Sequence, residues 1–99
     1  MSRREIETVR WFGDGPMLEK LLTNKHKGDW RMCSQNYLLR MLKYEVEELQ
    51  EAMIAGTLDG GGAAAIIEEA ADVANFAMMI ADNVCTFCNL PKEESPDEN

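Results

Sequence analysis

Glu45 and Glu48 form an E-x-x-E pair inside the run 38–55, and Glu69 and Asp72 form E-x-x-D inside the run 63–84. Both runs read as helices, and a three-residue spacing sets two carboxylates on neighbouring positions of one helix face. Four carboxylates brought together by two packed helices repel strongly unless a cation sits between them. Clustered hard oxygen ligands suit Mg²⁺, with Mn²⁺ as the alternative, rather than zinc. A metal-dependent reaction on a phosphate compound is the first expectation.

The elements that must position these groups follow from periodicity. Leu38, Leu42, Val46, Leu49 and Met53 make an apolar stripe at 4-4-3-4 spacing. Ser34 is the N-cap candidate for that helix. Gly56 reads as its stop signal, and Gly60-Gly61-Gly62 as a flexible connection to the next. Residues 63–84 are apolar nearly all round, which predicts burial on several sides. Glu69 and Asp72 lie within that run, and a buried carboxylate needs a partner. At roughly 100° per residue, Glu45 and Glu48 fall on a shoulder of the stripe beside Met41 and Ala52, away from Arg40, Glu47 and Glu51. An antiparallel helix packed on the stripe would bring Glu69 and Asp72 opposite them.

The remaining chain is less regular. Residues 1–12 fit either a strand-like arm or a short helical turn. Gly13-Asp14-Gly15-Pro16 predicts a turn, with Asp14 as a cap and Pro16 in the first turn of a short helix from Met17 to about Lys25. Lys27-Gly28-Asp29 would end that helix. The expected architecture is all-α: an antiparallel hairpin plus a shorter helix, completed as a four-helix-type bundle by association of copies into a homodimer or homotetramer. Ninety-nine residues make one domain whose solitary core is marginal. That domain is expected over 1–90, with 91–99 an acidic, disordered tail ending in KEESPDEN.

The chain carries 18 acidic and 10 basic residues, a net charge of −8, which argues against nucleic-acid binding because a phosphate backbone needs a positive field. No leader segment is recognisable, since no apolar stretch follows Ser2-Arg3-Arg4. The apolar stretch 73–81 is too short to cross a membrane. Three cysteines fit a reduced, cytoplasmic protein better than a disulfide framework.

Tyr44-Glu45-Val46-Glu47-Glu48 followed by Glu69-Ala70-Ala71-Asp72 resembles the motif pair of the MazG-like all-α nucleoside triphosphate pyrophosphohydrolases, a group related to dimeric dUTPases and dCTP pyrophosphatases. The surrounding text, LKYEVEELQEA and then EEAADVANFAMMIAD, is similar too. The likeness covers roughly 38–82. It implies Mg²⁺ held by Glu45, Glu48, Glu69 and Asp72, with Glu45 or Glu48 orienting or deprotonating a water. It implies hydrolysis of a nucleoside triphosphate to monophosphate and pyrophosphate, in control or cleansing of the nucleotide pool. The family's first Glu is Tyr44 here, so a second metal, or a base dependent on that carboxylate, is not carried over.

Each residue also has a plainer reading. A solvated face with intrahelical pairs accounts for Glu47, with Lys43 one turn before it, and for Glu51; Glu68 reads as exposed or as supporting a ligand. Asn75 either orients a ligand or makes an interhelical hydrogen bond. Phe76 and Met79 read as packing. Trp30 either stacks on a nucleobase or closes the end of the bundle. Lys25 and Arg31 are candidate triphosphate contacts, against a default of surface solubility. Cys85 and Cys88, with Cys33 and His26, would make a Cys₃His zinc site. Two alternatives to an enzyme therefore stand: a helical adaptor that keeps an acidic cluster, and a small zinc-binding interaction module.

Overall fold

A computed structural model describes residues 1–23, 29–59 and 62–88. Every regular element among them is helical, and none is long and apolar enough to cross a membrane. The N-terminal stretch is a helix, α1 (Arg3–Phe12). Its start is a capping box: Ser2 Oγ accepts from the Glu5 N–H at 3.1 Å, and Glu5 Oε1 accepts from the Ser2 N–H at 2.9 Å. An Arg3–Glu7 pair at 3.1 Å adds i,i+4 support.

The expected turn at Gly13-Asp14-Gly15-Pro16 is not formed. A π-helical segment, Gly13–Met17, carries the chain from α1 into α2 (Leu18–Thr23). The wider π turn accommodates Pro16, which has no N–H to donate and whose ring would crowd a normal helical turn. A tertiary bond holds it: Asn75 Nδ2 donates to the Met17 carbonyl at 3.0 Å. Asn75 is 3 % exposed. Asn75→Ala would leave that carbonyl without its donor. Loss of about 1–3 kcal/mol is expected, read as a lower urea midpoint.

Asp29 begins a single 3₁₀ turn, Trp30–Met32, by accepting from the Arg31 N–H at 2.9 Å. The helix α3 (Gln35–Asp59) follows, and Ser34 caps it as expected, its Oγ accepting from the Tyr37 N–H at 3.1 Å. It runs through Gly56 rather than stopping there. Gly56 instead permits close approach: a Cβ on Gly62 would lie 2.5 Å from Gly56 Cα, and one on Gly56 would lie 2.9 Å from Ile66 Cδ1. Beyond Gly62, α4 (Ala63–Phe87) returns along α3. Gly56 meets Gly62 at one end, and Gln35 Nε2 donates to the Ile80 carbonyl at 3.2 Å at the other. That pairing order makes the hairpin antiparallel. The expectations for Lys25 to Gly28, Gly60, Gly61 and the acidic tail lie outside the described residues.

The core is thin. Leu38 and Ala71 are the buried apolar residues among those described, joined by Asn75 and Asn83. The run 63–84 is therefore less enclosed than its composition predicts. Ile6, Val9 and Trp11 on α1 are exposed, as are Leu39, Val46 and Ile54 on α3 and Val84 and Phe87 on α4. The radius of gyration, 15.3 Å, exceeds the about 13 Å typical of a compact chain of this size.

Candidate functional site

Halfway along the hairpin, α3 presents Glu45 and α4 presents Glu69 and Asp72. One carboxylate oxygen from each lies within 4.8 Å of the others, and all three side chains are half-buried. Three of the four acidic residues singled out in the sequence thus converge from two helices. In an octahedral Mg²⁺ shell, with bonds of roughly 2.1 Å, ligand oxygens stand about 3 to 4 Å apart. The donor set is all oxygen, as that ion prefers.

Glu48 is not part of the three-oxygen group. It is half-buried one turn from Glu45, and it hydrogen-bonds with Tyr44. The charge of Glu48, that hydrogen bond, and the nearby Glu45 and Glu51 raise the pKa of the Tyr44 phenol. The phenol therefore keeps its proton and donates it to the Glu48 carboxylate. Tyr44 thus hydrogen-bonds the second residue of the E-x-x-E pair.

Crowding shows in Glu45, whose pKa is pushed up to about 7. Burial is the largest cause, followed by the charges of Asp72 and Glu69, a hydrogen bond with Glu69, and the charge of Glu48. The ordinary value for Glu45 is 4.5. Between about 4.5 and 7 the folded chain therefore binds a proton that the unfolded chain does not. This group's contribution to stability falls as pH rises through that window and levels off above it. Without divalent cations, Glu45→Gln should flatten the decline in Tm between pH 5 and pH 8. With MgCl₂, stabilisation should grow as pH rises through 7, because the cation and the proton compete.

The charge partner of Asp72 is Lys20, from α2, with Nζ 3.4 Å from Oδ2. Far from Asp72 in sequence, Lys20 carries no motif that would single it out. Beside it a groove of about 420 Å³ runs between α2 and α4, lined by Pro16, Glu19, Lys20 and Thr23 on one side and Ala64, Ile67 and Glu68 on the other.

Other candidates lie elsewhere. Trp30 Nε1 donates to Asp82 Oδ2 at 2.9 Å, and Asn83 Nδ2 donates to the Trp30 carbonyl at 3.2 Å. Asp82 is ten residues beyond Asp72 on one helix, about 15 Å along its axis. Within one chain Trp30 closes the end of the hairpin and does not join the carboxylates. Arg31 pairs with Asp29 at 2.8 Å on the surface of the same end, likewise away from the cluster. Asn75 follows Asp72 by one turn but gives its amide to Met17; its Oδ1 is buried without a hydrogen-bond partner. Phe76 and Met79 are half-buried, as packing residues would be. Lys25 and His26 lie outside the described residues. Among those described, no group of three metal-ligating side chains includes Cys33, Cys85 or Cys88.

No family model, curated protein or solved structure matches the chain. The resemblance of the two acidic motifs therefore rests on those residues alone.

Proposed function

We propose that this protein is a Mg²⁺-dependent nucleoside triphosphate pyrophosphohydrolase of the MazG-like kind, acting in the cytoplasm on a noncanonical or surplus nucleotide. The observation that carries the reading is the convergence of Glu45, Glu69 and Asp72 from two helices into one half-buried oxygen cluster. A solvated acidic face would spread its charges; here burial and mutual repulsion are strong enough to push Glu45 up to about 7. Glu45, Glu69 and Asp72 would hold the ion. Bound there, Mg²⁺, or Mn²⁺ in its place, supplies positive charge for the phosphate oxygens as negative charge grows on them.

The remaining chemistry falls to the chain. Glu48 stands beside the cluster with its carboxylate fixed by Tyr44. From there it orients a water and accepts its proton as the water oxygen attacks the α-phosphorus. The bond from that phosphorus to the α,β-bridging oxygen breaks, and pyrophosphate leaves with the bridging oxygen. Glu45, once deprotonated, would serve as a ligand.

The thin core and the exposed apolar side chains on α1, α3 and α4 support association of copies into a homodimer or homotetramer, which would complete the bundle. The same apolar surface would serve the adaptor alternative, which predicts that nucleotides with Mg²⁺ do not raise Tm. The test is a panel of ribo- and deoxynucleoside triphosphates with MgCl₂, scored by pyrophosphate release. The proposal expects one or a few substrates to yield monophosphate and pyrophosphate. Release of orthophosphate alone, or no product across the panel, overturns it.

A further inference from the structure

We propose that Lys20 is an exchangeable counter-cation: it neutralises Asp72 when no metal is bound, and turns into the groove between α2 and α4 to hold a substrate phosphate once a divalent cation occupies the carboxylates. This inference rests on the metal-centre reading above and adds a residue that neither acidic motif contains.

The contact itself is suited to exchange. Lys20 Nζ is 3.4 Å from Asp72 Oδ2, and the two side chains are 27 % and 18 % exposed. A partly solvated ion pair at that separation is held weakly. A Mg²⁺ ion on Asp72 would sit roughly 2.1 Å from its oxygen, setting two positive charges side by side. Repulsion then favours departure of the more mobile one. Lysine is a compact ammonium on a flexible four-carbon stem.

The groove gives it a destination. Lys20 already lines that space of about 420 Å³. Pro16 and Ile67 supply apolar wall, as a nucleobase requires, and Thr23 adds a hydroxyl. Glu19 and Glu68 also line the groove, and they repel a bare polyphosphate. A nucleotide carrying its divalent cation brings less negative charge, and the Lys20 ammonium complements the phosphate that remains. Lys20 is shared by the acidic cluster and the groove, so phosphate capture and metal occupancy become coupled.

The test reads two affinities in Lys20→Met: Mn²⁺ alone by EPR, and inorganic pyrophosphate on the Mg²⁺-loaded protein by calorimetry. Loss of a competing positive charge should tighten Mn²⁺ binding, up to about fivefold. Loss of the phosphate contact should weaken pyrophosphate binding about tenfold or more. Lys20→Arg should restore the second affinity. A merely structural pair predicts weaker Mn²⁺ binding in Lys20→Met, and that result, or an unchanged pyrophosphate affinity, overturns the proposal. Lys20→Gln replaces Met in both titrations if the Met variant does not fold. If wild-type protein binds Mn²⁺ through the carboxylates and Lys20→Met matches it in both titrations, the inference alone fails. If the wild type binds no Mn²⁺, the metal-centre reading fails with it.

Discussion

Glu69→Gln is expected to cut pyrophosphate release on the order of 10³-fold while leaving the metal-free protein at least as stable as wild type. The two effects have one origin. Glu69 contributes one of three carboxylate oxygens that lie within 4.8 Å of one another. Losing a charged ligand removes several kcal/mol of electrostatic stabilisation, and each 1.36 kcal/mol is about tenfold in rate. The same change relieves repulsion against Glu45 and Asp72, and a Gln amide still hydrogen-bonds Glu45 in a side chain of unchanged shape. The Glu45 carboxyl should then titrate below about 7, where burial and its neighbours now hold it. Steady-state kinetics gives the first effect and a urea melt in EDTA gives the second. A purely structural cluster predicts that the substitution leaves any hydrolysis intact. Asp72→Asn is a less clean probe, because it also breaks the pair with Lys20.

Gly62→Ala should be the most damaging small substitution in the hairpin. Its Cβ would stand 2.5 Å from Gly56 Cα and 3.2 Å from Gly56 N, so it meets backbone rather than a movable side chain. Relief requires α3 and α4 to separate at that end. Overpacking of this kind costs about 1–3 kcal/mol and sometimes more. For a domain of this size that lowers Tm by about 10 °C. Gly56→Ala should cost less, because its tightest contact, at 2.9 Å, is the far end of the Ile66 side chain. The site reports the same event. Spreading the helices separates Glu45 from Glu69 and Asp72, so divalent-cation affinity should fall in Gly62→Ala and much less in Gly56→Ala. Equal Tm values for the two variants would contradict the close-approach argument.

Periodicity was a good guide wherever a single helix carried the signal. The cap at Ser34 is legible because it depends on residues within one turn. Of the stripe, Leu38 is buried and Leu42 and Leu49 are half-buried, but Val46 and Met53 are exposed; of the acidic pairs, Glu45, Glu69 and Asp72 converge without Glu48. What escaped depends on a second element. Gly13-Asp14-Gly15-Pro16 has the composition of a turn, yet Asn75 from α4 holds the Met17 carbonyl and the chain stays helical. Gly56 looks like a terminator because glycine is costly inside a helix, but here it is needed where two backbones meet. For α1 the signal was present and local: Ser2-x-x-Glu5 is a capping box.

The same division runs through the candidate site. The spacing of Glu45, Glu69 and Asp72 placed them on facing shoulders, and their oxygens do converge. Spacing alone grouped Glu48 with them. Its carboxylate hydrogen-bonds Tyr44 on its own helix, which the i,i+4 spacing permits but does not require. Lys20 carries no local signal, because its contact with Asp72 is made across the fold. Trp30 and Arg31 attract interest as aromatic and basic residues ahead of the first acidic pair, but Asp82 and Asp29 claim them away from the carboxylate cluster.

The central claim is that Glu45, Glu69 and Asp72 grip a divalent ion between α3 and α4. Titration with Mn²⁺, followed by the EPR signal of the free ion, tests it most directly. Saturable binding of one Mn²⁺ per chain, displaced by Mg²⁺ and lost in Glu69→Gln, is the predicted result. A free-ion signal that wild type and Glu69→Gln deplete equally would contradict it.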